Sequence, residues 1–219
     1  MQELPLVESL HAWTTPLFIT RYSGHDSDSE ALLAQIYRQQ AAFTEAVASG
    51  VAPVAKQALY ESPLDFLQCQ TPEIQNLTAF LQQLVLMVAE EVNLGCWPEH
   101  AKAEVNITES WFHITRTGGF HDVHSHPNCS WCGIYYLDVG DCDFSGRNGV
   151  NRFYDPRINA EHYLDAGSQY LNQEGVWDIE PVNGQLVIFP SYLKHSALTY
   201  MGGKDRVVIA FNAQVHFCE

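Results

Sequence analysis

The sequence predicts a mainly β protein with helical support at its N-terminal side. Residues 28–93 carry apolar side chains at helical spacing, and residues 103–215 break into short runs rich in β-branched and aromatic residues. Turn-forming residues separate those runs. Several short strands in series point to a sandwich or barrel rather than a parallel α/β sheet. A length of 219 residues suits one domain, 1–219, in which 1–100 supports a β core over 101–219.

The first helix is expected to begin near Ser27, where Ser27 and Glu30 stand three apart as in a capping box. Leu32, Leu33, Ile36, Tyr37, Ala41 and Phe43 follow on one face, and Gly50 and Pro53 end the pattern. The second helix has Thr71 as N-cap, Pro72 at the first helical position and Glu73 near the positive end of the dipole. Ile74, Leu77, Leu81, Leu84, Val85 and Val88 form its apolar stripe, and Gly95 stops it. Strands are expected over 103–108, 110–116, 120–126, 131–138, 151–155, 176–180, 185–190 and 206–215. The segments 140–150 and 157–174 are polar and read as long loops.

A hydrophobic fraction of 46% supplies a core, and a charged fraction of 17% is too low for a chain disordered throughout. With 11 Lys+Arg against 26 Asp+Glu, the net charge of −15 argues against sequence-independent nucleic-acid binding. It leaves small anions open, because one arginine in a pocket can hold a dicarboxylate whatever the net charge. No 18-residue apolar run predicts a membrane span, and the start from Met1 to Pro5 lacks signal-peptide character. The six cysteines are expected as free thiols of a cytoplasmic protein.

The densest chemistry lies between Gly118 and Pro127, where His121, Asp122, His124 and His126 crowd together. On a strand, residues two apart share a face, so His124 and His126 project together with Asp122 one step earlier. Two imidazoles so placed can bind one divalent metal, with a third ligand from elsewhere. His195 is the natural donor, delivered by the apolar run Leu186–Phe189 and the turn at Pro190. Arg206 opens another buried run, an expensive position unless the side chain meets an anion. Three kinds of metal site compete. His124, His126, Cys129 and Cys132 would make a structural zinc site. A cupin-like metal enzyme fits the first histidines, although its glutamate is missing and ten residues separate Gly184 from His195. The third is a non-haem iron oxygenase with open metal positions.

Several landmarks together resemble the 2-oxoglutarate/Fe(II)-dependent oxygenase family of bacteria and phages. They are Trp111, Gly119, His124-Ser-His126-Pro127, the strand Cys132–Leu137 and Asp155-Pro156-Arg157. Pro181, Gly184, Leu186, Phe189-Pro190-Ser191, His195, Arg206 and Ala210-Phe211-Asn212 follow in order. The resemblance covers about 105–215. It implies a double-stranded β-helix (jelly-roll) core with supporting N-terminal helices. It also implies a dioxygenase reaction in which Fe(II), 2-oxoglutarate and O2 oxidise a substrate with release of succinate and CO2. His124 and His195 match the family's metal ligands by position, and Arg206 matches the residue that pairs with the distal carboxylate of 2-oxoglutarate. His126 stands where the wider superfamily carries a carboxylate, so three sets stay open: three histidines, His124 and His195 alone, or Asp122 in place of one imidazole. The three-histidine set is favoured, with Asp122 in reserve. Tyr135 and Asn212 are further candidates for holding the cosubstrate, and the loops 139–150 and 157–174 for covering substrate. The expected partner is a small-molecule or protein side-chain substrate, without nucleic acid or membrane. A homodimer is among the expected assemblies.

Overall fold

The computed structural model describes residues 14–49, 58–157, 165–168 and 175–218. Gly50, Pro53, His11, His162 and most of the 157–174 segment therefore lie outside the described residues. A short strand β1 (Phe18–Arg21) leads into helix α1 (His25–Ala48). The helix starts earlier than the capping box implies. Gly24 takes the N-cap position, and the Ser27 hydroxyl donates to the Gly24 carbonyl at 2.9 Å within the first turn. Asp26 and Asp28 in that turn favour the positive end of the helix dipole. After β2 (Leu59–Glu61) comes α2 (Pro72–Val92), which starts as the sequence indicates, with Thr71 extended at the N-cap and Pro72 behind it. The Thr71 hydroxyl makes no capping bond. Every residue of the Ile74–Val88 stripe is buried.

The remaining strands are β3 (Ala103–Thr115), β4 (His121–His124), β5 (Trp131–Asp138), β6 (Asn151–Tyr154), β7 (Val176–Ile179), β8 (Gln185–Pro190), β9 (His195–Ala197) and β10 (Arg206–Phe217). They form two sheets, ordered β1-β8-β5-β10-β3-β2 and β4-β9-β6-β7, with every strand pair antiparallel. This is the mainly β, jelly-roll architecture expected. The two strands anticipated over 103–116 are one. The break between them is a bulge, since Asn212 pairs with Glu109 and Ala213 with Ile107. β1, β2 and β9 are not among the expected strands, and the three residues of β2 and of β9 are too few to show alternation.

Alternation along the central strands sorts the interior into two layers. Toward the helices, Tyr135, Leu137, Leu186, Ile188, Val207, Ile209 and Phe211 pack with Leu32, Ile36 and the α2 stripe. Between the sheets, Cys132, Ile134, Tyr136, Val187, Phe189 and Val208 meet Phe153, Ile179 and Leu193. A sheet buried on both faces cannot show hydrophobic-in, polar-out alternation, which is why β5 reads as a continuous apolar run. All six cysteines are free, and among the described residues no helix is long and apolar enough to cross a membrane.

Gly133 sits at the middle of this arrangement, where a Cβ would fall 2.3 Å from the Phe211 ring and 2.8 Å from Ile188 Cδ1. Gly133→Ala should therefore lower stability by about 1–3 kcal/mol through overpacking. Urea denaturation measures this, and an unchanged midpoint would contradict the packing described.

Candidate metal centre

The three candidate histidines converge because two edge-to-edge pairings bring distant segments together. β4 runs antiparallel to β9 with His124 opposite His195, and β9 pairs on its other side with β6, placing Phe153 opposite His195. Beyond β4, the His126 backbone N–H donates to the Ser191 carbonyl at 3.1 Å, which holds the His126 turn against the turn after Pro190. One ring nitrogen from each of His124, His126 and His195 lies within 4.8 Å of the other two, close enough to hold one metal ion.

Two backbone carbonyls fix the orientation of two of these rings. His124 Nδ1 contacts the Asp122 carbonyl at 2.7 Å, and His195 Nδ1 contacts the Leu193 carbonyl at 3.1 Å. A carbonyl only accepts, so each Nδ1 carries a hydrogen, and in the neutral form of such a ring Nε2 is the nitrogen with a lone pair for a metal. Burial, followed by the charge of His124, lowers the pKa of His195 to about 3. Burial likewise lowers His126 to about 4, again with His124 as the next cause. Both rings are neutral near pH 7, the form in which imidazole binds metal.

Asp122 does not join them. Its side chain is exposed, and its contribution is the backbone carbonyl just described. The cysteines of the zinc alternative also stay apart from the group. Cys129 and Cys132 lie 3.4 Å from each other, and the Cys132 thiol donates to Asn212 Oδ1 at 3.3 Å.

The histidines line a cleft that also includes Trp111, Asn151, Phe189, Ser196 and Arg206. Arg206 is only 2% exposed. Its Nη2 donates to Asn151 Oδ1 at 2.6 Å, and its guanidinium lies 5.7 Å from the centre of the Tyr136 ring. Its Nε is buried without a hydrogen-bond partner, and among the described residues no carboxylate forms a salt bridge with it. The loop 139–150 packs against this end of the cleft through Gly149. Gly149, at φ +66°, brings its backbone so close that a Cβ would lie 3.3 Å from Arg206 Cδ and 2.7 Å from the Tyr200 ring.

Two cosubstrate candidates are corrected. Tyr135 points to the helix side of the sheet, where its hydroxyl meets His25 Nδ1 at 2.6 Å, on the face opposite the cleft. Alternation indicates which residues share a face but not which face turns inward. The adjacent Tyr136 is the tyrosine on the cleft side, donating to Asn151 Oδ1 at 2.9 Å. Asn212 does share the Arg206 face, but six residues at about 3.3 Å each separate them by roughly 20 Å. Its amide is already engaged, with Nδ2 donating to Glu109 Oε2 at 2.6 Å. Asn151, Tyr136 and the cleft-lining His113 lack any sequence signature. The register alone indicates them, since Val208 pairs with both His113 and Tyr136.

Comparison with known proteins gives a consistent picture. Residues 109–212 match a family described as "Putative 2OG-Fe(II) oxygenase". Among solved structures, a prolyl-4-hydroxylase from Pseudomonas putida superposes with a TM-score of 0.52 at 17% identity, covering 92% of this chain and 94% of that one. HygX from Streptomyces hygroscopicus, with nickel, 2-oxoglutarate and hygromycin B bound, gives a TM-score of 0.58 at 13% identity, covering 92% and 83%. A Trichoplax adhaerens prolyl hydroxylase, in complex with a hypoxia inducible factor peptide fragment, gives 0.56 at 13% identity, covering 90% and 83%. These likenesses carry the fold, a double-stranded β-helix. No curated protein matches the sequence.

The lowered histidine pKa values set a sign for acid sensitivity. An unfolded chain protonates histidine near its ordinary value of 6.5, whereas folded His195 and His126 resist until about 3 and 4. Between those values the unfolded state binds more protons, so stability falls as pH drops below about 6.5. Metal-free protein denatured with urea across pH 7 to 4.5 should show this loss. His195→Gln should flatten the slope, and an identical slope in the variant would contradict the assignment.

Proposed function

We propose that the chain is a 2OG-Fe(II) oxygenase, the family its residues 109–212 match, in which His124, His126 and His195 hold Fe(II) while Arg206 anchors 2-oxoglutarate by its distal carboxylate. The observation that carries the cosubstrate assignment is the Arg206 side chain, buried in the cleft with its Nε unbonded. A dicarboxylate would supply the missing acceptor, and a guanidinium is suited to holding a carboxylate through paired hydrogen bonds. The donor set also fits the metal, because imidazole is a good ligand for iron and both oriented rings present Nε2. Bound together, Fe(II) and 2-oxoglutarate supply the oxidising chemistry that consumes O2, releases succinate and CO2, and oxidises a substrate.

The chain's own residues account for positioning and shielding. The Asp122 and Leu193 carbonyls hold His124 and His195 in the tautomer that leaves Nε2 free. Phe153 and Phe189, with ring centres 5.8 and 4.7 Å from that of His195, keep the inner side of the site apolar. Asn151 and Tyr136 fix the guanidinium before any ligand arrives, which lowers the ordering cost of binding. Replacing a carboxylate ligand by His126 leaves three neutral protein ligands, so the anionic cosubstrate would supply the negative charge at the metal. The substrate would be a small molecule or a protein side chain. The relatives solved with hygromycin B and with a peptide fragment make both classes reasonable for this scaffold.

Anaerobic addition of Fe(II) and 2-oxoglutarate to wild-type protein should produce a visible charge-transfer band, absent in His195→Ala. No band in metal-replete wild type would overturn the cosubstrate assignment. Arg206→Ala should raise the 2-oxoglutarate requirement about ten- to a hundredfold, the scale of hydrogen bonds to a charged group, with little change in the iron requirement. Equal effects on both would make Arg206 structural.

A further inference from the structure

A second set of metal-binding side chains stands beside the first and shares no residue with it. Glu61 on β2 is opposite His113 on β3, so both side chains leave the same face of the large sheet. His121, at the start of β4 in the small sheet, reaches them from across the sandwich. His113 Nε2 lies 2.8 Å from Glu61 Oε2, His121 Nε2 lies 3.2 Å from His113 Nε2, and His121 Nε2 lies 3.5 Å from Glu61 Oε2. We propose that Glu61, His113 and His121 form a second divalent-metal site, of the zinc type.

The spacing is that of metal ligands. Bonds of about 2.0–2.1 Å in a tetrahedral zinc site place neighbouring ligand atoms about 3.3–3.4 Å apart. The three observed separations scatter around that value and outline one face of a tetrahedron. A central cation would take a lone pair from all three atoms at once. Two imidazoles and one carboxylate form a donor set used by zinc sites that retain an open position. The nitrogen donors favour a first-row transition ion over magnesium or calcium, which prefer oxygen.

Access and electrostatics agree with this assignment. The side chains of His113 and His121 are 11% and 20% exposed, while that of Glu61 is 49% exposed, so the imidazoles are the more buried part of the site and the carboxylate the more accessible. A chain of net charge −15 raises the local concentration of cations. The two groups adjoin along β4, where the ring centres of His121 and His124 are 5.6 Å apart.

Equilibrium dialysis of metal-free protein against Co2+, followed by visible absorption, tests the proposal without relying on turnover. Wild type should take up two Co2+ per chain. Glu61→Gln, which alters an exposed carboxylate, and His121→Gln should each retain one, with the other weakened at least tenfold. His195→Ala should also retain one, the ion held by Glu61, His113 and His121. One Co2+ per chain in wild type and none in His195→Ala would overturn the proposal. So would two in wild type with no change in either Glu61→Gln or His121→Gln. One Co2+ per chain in wild type, kept in His195→Ala and weakened in Glu61→Gln, would count against the proposed oxygenase centre and leave the second site standing.

Discussion

A guanidinium removed from water between two β-sheets carries a desolvation cost of several kcal/mol unless something answers its charge. Arg206 is in that position, at the start of β10, and much of the cleft is arranged around it. Asn151 accepts from one nitrogen, the Tyr136 ring lies beside the plane, and Gly149 brings a loop backbone against the aliphatic stem. These neighbours hold the side chain still but none of them is an anion. A rigid, incompletely satisfied cation suits an anionic ligand, since the acceptor would meet a preformed partner.

The histidines depend on the same two-sheet frame in a different way. His124 and His195 belong to strands of four and three residues, too short to be stable alone. Their pairing places the two imidazoles in register, and the turn carrying His126 is held by a backbone bond to Ser191. Burial then keeps His195 and His126 neutral at physiological pH. The sandwich thus supplies both the convergence and the protonation state that a metal needs.

Much of this was legible in the sequence. The α2 stripe, the limits of β5 and β8, and the grouping of His124, His126 and His195 follow from periodicity and strand alternation. The illegible parts have physical causes. Tyr135 and Tyr136 cannot be told apart by pattern because β5 is buried on both faces. Asn212 shares the Arg206 face, yet the length of the strand separates them. The carboxylate that meets His113 lies on a three-residue strand 52 positions away, a pairing that only the sheet register reveals.

The claim that Arg206 is kept for a distal carboxylate is tested most directly by comparing two keto acids that differ only there. Calorimetry on anaerobic Fe(II)-loaded protein would measure the affinity for 2-oxoglutarate and for 2-oxopentanoate, which carries a methyl group in place of that carboxylate. The expected result is at least a tenfold preference for 2-oxoglutarate in wild type, from hydrogen bonds to a charged group worth about 1.5–3 kcal/mol, and little preference in Arg206→Leu. Equal affinities in wild type would contradict it.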